Sequence, residues 1–449
     1  MWGKGILCLL VAIFTSLSLF FCVASFSFSS ISFFEGGCGF EVHKELGEQV
    51  KALRHSIGQL QNLHPELFDQ MLRMGMIVEA EADEVKALVD AWRAHDADPS
   101  TFGLIVNPTL GCNLRCWYCY EQHDRMPMME EAVRHSICRL LDRKAEDEGL
   151  ESMNVSFFGG EPLLGFHQVV MPILGRAAEV CGAKGIALHS SFTTNGVLLT
   201  EEVLDGLESV GLTSPATFQI SLDGNREHHD HSRIGANRQP TYDCIVTHMK
   251  QAAARHHQVF ARLNYTANNI TSFTDVLNDF SSMPESNKPY IQFNFQQIWQ
   301  DQEQNDLTEA VAELKAQYAQ EGFAVESDHI CHRHNCYADH ENHLVVNYDG
   351  LLFKCTARDF KETRSEGRLQ SDGEVVWNEK YARRMEVKYA NKACLACKIL
   401  PICNGGCSQN KLDAHNLDHC YNGMSEDDKD ERMLQWLKEL ITNYQPTNN

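Results

Sequence analysis

Three cysteines stand close together in the run GCNLRCWYC, which begins at Gly111. Spacings of three and then two intervening residues let three thiolates converge on one metal centre. Cys112, Cys116 and Cys119 could hold three irons of a 4Fe–4S cube and leave the fourth iron open to a chelating ligand, whereas an electron carrier normally supplies four protein ligands. A zinc knuckle is the alternative, because His123 is close enough in sequence to complete a zinc site.

Polar motifs follow this run, and each is expected at the carboxyl end of a strand. In FGGEPL (residues 158–163) the glycines would let a ligand approach the backbone closely, and the Glu161 carboxylate could hold an ammonium group. Small polar side chains in TNG (194–196) and SLDG (221–224) could hydrogen-bond hydroxyl groups or a carboxylate. Taken singly, each motif also has a plainer interpretation as a turn.

A second group of cysteines lies in the carboxyl-terminal part of the chain, at Cys331, Cys336, Cys355, Cys394, Cys397, Cys403, Cys407 and Cys420. Disulfide frameworks belong to short secreted domains, whereas this chain has 449 residues and gathers most of its 17 cysteines in two groups. The close spacings therefore favour metal binding. Structural zinc sites are the alternative to iron–sulfur clusters, because Cys-x2-Cys repeats also build zinc ribbons.

The elements that must position these residues alternate between strand and helix from about Thr101 onward. Hydrophobic periodicity predicts strands at residues 103–107, 153–158, 187–193, 217–222, 261–266 and 290–296. Repeated β-α units predict a parallel sheet of the α/β class, curved into a partial (β/α)6 TIM-like barrel. Active sites in such folds gather at the carboxyl ends of the strands, which is where the motifs fall.

The chain divides into five predicted segments: a hydrophobic N-terminal segment (1–40), a small helical N-terminal domain (41–100), the barrel core (101–300), a polar helical linker (301–325) and a C-terminal cysteine-rich iron–sulfur domain (326–435). A small domain of short hairpins between cysteines gains much of its stability from bound metal. The helical domain carries no chemical cluster, so we interpret it as scaffold or as a substrate-recognition surface.

The cysteine run directly after a strand, with Tyr118 before its third cysteine, resembles the radical S-adenosylmethionine (SAM) superfamily, and the strand-end motifs follow in that superfamily's order. The carboxyl-terminal cysteines resemble the SPASM domain of its peptide-modifying members. The resemblance covers about Thr101 to Cys420 and implies that a 4Fe–4S cluster cleaves SAM to a 5′-deoxyadenosyl radical. The residues implied to contact SAM are Tyr118, Gly159, Gly160, Glu161, Asn195, Ser221, Asp223 and Arg233.

The same resemblance implies roles for two of these residues and two auxiliary 4Fe–4S clusters. The motif of Glu161 is assigned to the methionyl amine of SAM, and Arg233 to its carboxylate, which an arginine can bind with two parallel hydrogen bonds. The family's interleaved wiring gives one auxiliary cluster to Cys331, Cys336, Cys355 and Cys407, and the other to Cys394, Cys397, Cys403 and Cys420.

The resemblance implies a maturase that abstracts hydrogen from a ribosomally made peptide and oxidises or cross-links it, with reduced flavodoxin or ferredoxin as electron donor. Residues 45–95 are then a candidate for binding the leader of that peptide. An iron–sulfur electron-transfer protein is the non-enzymatic alternative, but such a protein would not need the FGGEPL motif or Arg233.

Anaerobic sulfatase-maturating enzymes, which form formylglycine, share the layout and are the enzymatic alternative. In them an aspartate, taken as the proton acceptor, immediately follows the cysteine that corresponds to Cys355. Here that position is Thr356, and Asp359 three residues on is the candidate base. This departure favours a peptide maturase over a sulfatase maturase.

The net charge and the amino-terminal segment limit which binding partners and which cellular location are expected. A net charge of -22 argues against nucleic acid and favours a small molecule or a neutral-to-basic peptide. The segment from Gly5 to Phe34 contains no charged residue and is long enough for a membrane anchor or a signal peptide. Export would conflict with reduced clusters and a cytosolic cosubstrate, so we favour a start site placed too far upstream and a cytoplasmic protein, with membrane attachment left open.

Overall fold

The computed structural model describes residues 10–11, 22–24, 30–35, 38–53, 56–73, 82–120, 126–235, 238–301, 306–326, 336–414 and 418–443. The chain falls into two compact units. The first comprises the described residues of 1–95, 328–336 and 386–449, and the second comprises those of 96–327 and 337–385.

The amino-terminal part of the first unit contains short strands followed by helices. The strands form an antiparallel sheet in chain order: β1 (Leu10–Val11), β2 (Cys22–Ala24), β3 (Ser30–Glu35) and β4 (Cys38–His43). The helices are α1 (Lys44–Ala52), α2 (Gly58–Leu63), α3 (Pro65–Arg73) and α4 (Glu84–Asp96). In the described part of the chain, no helix is both long enough and apolar enough to cross a membrane.

The second unit alternates strands with helices. Its elements are β5 (Thr101–Val106), β6 (Leu114–Cys116), α5 (Glu131–Ala145), β7 (Ser152–Phe157), α6 (Met171–Lys184), β8 (Ala187–Thr194), α7 (Glu201–Glu208), β9 (Thr217–Leu222), α8 (Arg226–Ser232), β10 (Arg233–Gly235), α9 (Tyr242–Ala254), β11 (Gln258–Tyr265), α10 (Phe273–Ser281), β12 (Ile291–Gln297), α11 (Thr308–Gln320), β13 (Ala324–Val325), β14 (His343–Val346), β15 (Leu351–Phe353), β16 (Gly367–Leu369) and β17 (Val375–Trp377).

The predicted parallel α/β sheet is confirmed. Its strands are β5, β7, β8, β9, β11 and β12, which pair in parallel in that order. Successive side chains of a strand point to opposite faces, so one face of this sheet packs on the helices. On that face Phe157, Phe192 and Phe218 stack across three neighbouring strands, with ring centroids 5.1 and 5.4 Å apart. Because these residues are also direct register partners, the stacked rings stabilise the register of the three strands.

The predicted linker at residues 301–325 is instead part of the sheet. After α11, β13 pairs in parallel with β12 at the sheet edge. Tyr318 on α11 is fully buried, with its ring centroid 4.7 Å from that of Phe293. Its hydroxyl donates a hydrogen bond to the Phe273 carbonyl over 2.7 Å. The polar residues of α11 cover its solvent face, which is why composition alone suggested a linker.

The predicted cysteine-rich domain, residues 326–435, is divided between the two units. Residues 337–385 extend the sheet of the second unit, where β14 pairs in parallel with β5 and places Val345 opposite Ile105. The remaining strands, β15 to β17, continue from β14 as an antiparallel meander.

The carboxyl-terminal residues group with the amino-terminal helices. Helix α12 (Glu379–Ala390) spans the division, and the helices beyond it are α13 (Lys392–Leu395), α14 (Leu400–Cys403), α15 (Ser408–Asp413) and α16 (Glu426–Asn443). The Arg93 guanidinium lies 4.0 Å over the Tyr389 ring, and its Nη2 is 3.1 Å from Glu386 Oε2. The predicted helical domain and the chain end are therefore one unit.

The role of α11 can be tested by truncating its buried ring. We expect Tyr318→Ala to lower the free energy of unfolding by roughly 3–5 kcal/mol. Removal of the large buried side chain leaves a cavity, and the Phe273 carbonyl loses its hydrogen-bond donor. The matched control is Gln317→Ala, an exposed neighbour on the same helix. Urea denaturation followed by circular dichroism should show a lower midpoint only for Tyr318→Ala; equal midpoints would contradict the placement of α11.

Candidate functional site

The loop after β5 carries the three cysteines and is tied down by a short strand pair. This cluster loop, residues 107–120, contains β6, which pairs antiparallel with β10 and sets Cys116 opposite Arg233. Because β10 follows β9 along the chain, the pairing fixes the loop to a segment that begins three strands away from β5 in the sheet. The loop after β5 and the segment after β9 are thereby connected.

The three loop cysteines differ in exposure. Cys112 is buried, Cys116 is partly buried and Cys119 is exposed. Cys112 Sγ accepts hydrogen bonds from the Leu114 amide over 3.4 Å and from Asn195 Nδ2 over 3.6 Å. Burial raises the pKa of Cys112 to about 12, so a bound cationic group is needed to hold it as a thiolate. N–H donors to sulfur are a feature of iron–sulfur ligation.

The described residues do not gather three Cys, His, Asp or Glu side chains in the arrangement that one metal ion would require. A cube offers a separate iron to each thiolate, so its ligands need not meet at a single ion. The donor set of Cys112, Cys116 and Cys119 therefore fits a cluster with three protein ligands. His123, the possible fourth ligand of a zinc knuckle, lies outside the described residues.

Gly159 and Gly160 pack against the cluster loop itself. A Cβ atom on Gly159 would overlap the carbonyl oxygen of Thr109, and one on Gly160 would overlap that of Gly111. The Gly160 amide donates to the Thr109 carbonyl over 3.1 Å, and Gly159 has a φ of +108°, where glycine is favoured. The sequence predicted that a ligand approaches the backbone of these glycines closely. In the structure, the cluster-loop backbone that carries Cys112 lies in close contact with them. We call residues 159–161 the glycine strap.

The Glu161 carboxylate is fully buried and engaged by the protein. It accepts hydrogen bonds from the Leu163 amide over 3.0 Å, from Thr194 Oγ1 over 2.8 Å and from the Asn195 amide over 2.8 Å. Burial raises the pKa of Glu161, and these donors oppose the rise. The carboxylate therefore joins the end of β7 to the end of β8, whereas the sequence predicted a contact with an ammonium group.

Asn195 and Ser221 occupy different settings. Asn195 Nδ2 donates to Asn113 Oδ1 over 2.7 Å, and Asn195 Oδ1 accepts from the Val197 amide over 3.0 Å. Asn195 thus connects the end of β8 to the cluster loop. Ser221 is partly buried on the sheet face opposite the helices, and its neighbour across the strand pair is Arg262 on β11.

Tyr118, Asp223 and Arg233 meet in a buried polar network completed by Asn264. Arg233 Nη1 donates to the Tyr118 hydroxyl over 2.7 Å, and that hydroxyl donates to Asp223 Oδ1 over 2.9 Å. Asn264 Nδ2 lies 3.1 Å from the Tyr118 oxygen and donates to Asp223 Oδ1 over 3.0 Å. Burial raises the pKa of Asp223, and the Arg233 charge opposes the rise. The sequence analysis predicted Tyr118, Asp223 and Arg233 as site residues, and Asn264 was not among its predictions.

Arg262 is a second site residue that sequence reasoning missed. The six barrel strands contain no Asp, Glu or Lys, and Arg262 is their single arginine. It lies on the face opposite Ala261 and Leu263, and its Nε donates to Asn264 Oδ1 over 2.9 Å. Alternation along β11 could have revealed it, because a charge at that position must point away from the helices.

Four of the carboxyl-terminal cysteines line one cavity in the first unit. Cys394, Cys397, Cys403 and Cys420 surround a volume of about 90 Å³. Asn422 Nδ2 lies 3.5 Å from the Cys403 sulfur. This is the set that the family wiring assigns to one auxiliary cluster.

The other predicted auxiliary set is distributed differently. Cys336 and Cys407 belong to the first unit and Cys355 to the second, while Cys331 lies outside the described residues. This assignment stays a prediction.

Asp359, the candidate base, is neutralised by two cations. Its carboxylate lies 2.6 Å from Lys361 Nζ and 2.8 Å from Arg364 Nε. Thr356 Oγ1 is hydrogen-bonded to the Tyr337 hydroxyl over 2.7 Å. The segment after Cys355 therefore presents an ion-paired carboxylate and a hydroxyl engaged by another hydroxyl.

Sequence comparison identifies relatives of this site. Residues 106–270 match the radical SAM superfamily. The serine-type anaerobic sulfatase-maturating enzyme of Klebsiella aerogenes is 23% identical over 350 residues, which cover 70% of this chain and 81% of that enzyme. The cysteine-type enzyme of Clostridium novyi is 24% identical over 154 residues, covering 33% of this chain and 40% of that enzyme.

Solved structures share the fold. The structure of anSMEcpe with bound AdoMet superimposes with a TM-score of 0.58 at 18% identity, over 76% of this chain and 98% of that one. Streptococcus suis SuiB bound to S-adenosylmethionine gives a TM-score of 0.52 at 15% identity, over 88% of this chain and 96% of that one.

The contact between the glycine strap and the cluster loop predicts that a side chain added at Gly160 impairs cluster assembly. Gly160→Ala should displace the Gly111 carbonyl and with it Cys112, so anaerobically isolated protein should lose about the iron of one cube per chain. Gly175→Ala is the matched control, because Gly175 lies in α6 with open space around its Cα. Iron and sulfide analysis checks both; full iron content in Gly160→Ala would contradict the contact.

Proposed function

Taking the chain as a radical SAM enzyme of the maturase type, with its radical SAM domain at residues 106–270, we propose that it oxidises or cross-links a residue of a peptide. One observation carries the proposal. At the carboxyl-terminal edge of the parallel sheet, the three-thiol loop packs on the glycine strap, and its Tyr118 is linked through Asn264 to Arg262. That edge is where catalytic residues of such folds gather.

Each part of this edge has a task in the proposed reaction. Cys112, Cys116 and Cys119 would hold the SAM-binding 4Fe–4S cluster. When bound, the cluster and SAM supply the one-electron chemistry that yields a hydrogen-abstracting radical. The chain's own residues hold the loop, orient SAM and limit the access of water. Cys119 is exposed, so we propose that a reduced flavodoxin or ferredoxin donates the electron from its side of the cluster.

For the carboxylate of SAM, Arg262 is the better candidate than Arg233. In the described part of the chain only its Nε is engaged, by Asn264, which leaves the guanidinium nitrogens Nη1 and Nη2 for a ligand. Ser221, its neighbour on β9, adds a hydroxyl that can donate to the same carboxylate. Arg233 instead donates from within the buried network to Tyr118.

A peptide fits the polar face on which Arg262 lies. This inner face of the barrel strands presents amides and hydroxyls, the groups that can pair with a peptide backbone: Ser156, Ser191, Thr193, Gln219, Ser221, Asn264, Gln292, Asn294 and Gln296. The fold is also that of anSMEcpe, whose structure with AdoMet and a Cp18Cys peptide superimposes with a TM-score of 0.57. Both observations support a peptide as the substrate.

The cavity lined by Cys394, Cys397, Cys403 and Cys420 supports an auxiliary 4Fe–4S cluster. Such a cluster could accept the electron that substrate oxidation releases. The second auxiliary cluster, on Cys331, Cys336, Cys355 and Cys407, is proposed from the resemblance to the SPASM domain alone.

Sulfatase maturation is the second candidate, because the relatives from Klebsiella aerogenes and Clostridium novyi are sulfatase-maturating enzymes. The residue after Cys355 is Thr356, which cannot serve as a carboxylate base. The two candidates differ in substrate. A peptide maturase would act on the product of a small reading frame beside the coding sequence, whereas a sulfatase maturase would act on a peptide with a sulfatase-type Ser or Cys site.

The experiment that tests the proposal uses the full chain, purified and reconstituted without oxygen and reduced by dithionite. We expect 5′-deoxyadenosine from SAM, and a mass change in one of the flanking-frame peptides. Loss of two hydrogens from a serine in a sulfatase-type peptide would instead support the second candidate. Absence of 5′-deoxyadenosine in iron-replete protein would contradict both.

The assignment of Arg262 gives a quantitative prediction. Arg262→Gln should weaken SAM binding about 10- to 100-fold, since a hydrogen bond to a charged group contributes roughly 1.5–3 kcal/mol. Arg143→Gln, on the exposed face of α5, is the control and should bind normally. Isothermal titration of SAM into the reconstituted protein measures both; unchanged affinity in Arg262→Gln would remove it from the site.

The ion pairs of Asp359 predict that it is dispensable for hydrogen abstraction. Asp359→Asn should retain peptide-dependent 5′-deoxyadenosine formation within about twofold, because surface-type pairs with Lys361 and Arg364 contribute only about 0–1 kcal/mol. The measurement is 5′-deoxyadenosine by liquid chromatography with the peptide present. A loss of tenfold or more would restore Asp359 as the base.

A further inference from the structure

Arg233 is buried directly beside a predicted cluster ligand. In the pairing of β6 with β10 its backbone lies opposite Cys116, and its side chain is only 8% exposed. One end of the guanidinium is engaged, since Nη1 donates to the Tyr118 hydroxyl. In the described structure its Nε has no hydrogen-bond partner although it is buried.

The protein's own groups leave this charge incompletely satisfied. The nearest carboxylate oxygen, Asp223 Oδ1, is 3.9 Å from Arg233 Nη1, with the Tyr118 hydroxyl between them. Asp223 Oδ2 is likewise buried without a hydrogen-bond partner in the described structure. Burying a charged group costs several kcal/mol unless it is paired and hydrogen-bonded. A further negative group beside Arg233 would remove this deficit.

We infer that Arg233 is a charge partner of the cluster at Cys116 and raises its reduction potential, with Tyr118 and Asp223 as positioning residues. The inference rests on the proposed function, which places a cluster on Cys112, Cys116 and Cys119. Reduction adds one negative charge to a cluster, and a buried cation stabilises the reduced form more than the oxidised form. Hydrogen bonds and charge near the sulfurs are known determinants of cluster potentials.

The pairing of β6 with β10 also places the two side chains together. Residues directly opposite each other on antiparallel strands project to the same face, so the Arg233 side chain and the Cys116 thiol lie on one side of this strand pair.

This role differs from the SAM contact that the resemblance assigned to Arg233. A SAM ligand should change cosubstrate affinity when it is replaced, whereas a charge partner should change the potential. Arg262 provides the matched comparison, because it is an arginine near the same network that is proposed to bind SAM.

The test is a redox titration of the full-length, anaerobically reconstituted enzyme, in wild-type, Arg233→Gln, Arg233→Lys, Tyr118→Phe and Arg262→Gln forms. Electron paramagnetic resonance follows the reduced cluster whose signal changes on addition of SAM, which separates it from the auxiliary clusters. We expect a lower midpoint potential in Arg233→Gln, partial rescue in Arg233→Lys, a smaller decrease in Tyr118→Phe and no shift in Arg262→Gln.

The outcomes distinguish this inference from the proposed function. An unshifted potential in iron-replete Arg233→Gln would overturn the inference, as would weaker SAM binding with the potential unchanged. If Arg233→Gln fails to assemble the cluster, Tyr118→Phe decides, because it retains the ring and removes only the hydroxyl. A wild-type enzyme without any SAM-sensitive cluster signal would overturn the proposed function itself.

Discussion

The geometry of the site depends on one contact between two backbones that leaves no room for a side chain. The glycine strap crosses the cluster loop so closely that a Cβ atom on Gly160 would overlap the Gly111 carbonyl. The Glu161 amide donates to that same carbonyl over 2.9 Å. Because the next residue in the loop is Cys112, the end of β7 fixes the first predicted cluster ligand. A thiolate held by the backbone in this way needs little rearrangement when it binds iron.

Buried charges extend this contact to the other strands, and they fall into two classes. Glu161 is satisfied by three separate donors and acts as a structural joint between β7 and β8. Asp223 and Arg233 each retain a buried atom without a partner in the described structure. Since an unsatisfied buried charge is costly, the first class stabilises the apoprotein, whereas the second gains most when a charged group binds beside it.

Sequence reasoning predicted the features that depend on local pattern. Hydrophobic periodicity predicted the six parallel strands, and the family resemblance grouped the four cysteines that line one cavity. It could not show which partner makes a close approach necessary, so the glycines were assigned to a ligand and not to Thr109 and Gly111. The linker prediction was wrong because composition records how polar α11 is and does not show that its Val311, Leu314 and Tyr318 are buried.

The distribution of charge suggests how an acidic enzyme could accept a peptide into a neutral interior. The chain contains 61 acidic residues, yet none lies in the six barrel strands, where Arg262 is the one Arg or Lys. Acidic groups placed outside the barrel attract a basic partner at long range, and they do so less at high salt. Under the proposed function the inner face, which is uncharged except near Arg262, would then discriminate through amide and hydroxyl hydrogen bonds. The first encounter with the peptide and its selection would thus depend on different parts of the molecule. A charge added to the inner face should therefore alter the specificity for the peptide more than the rate of its association.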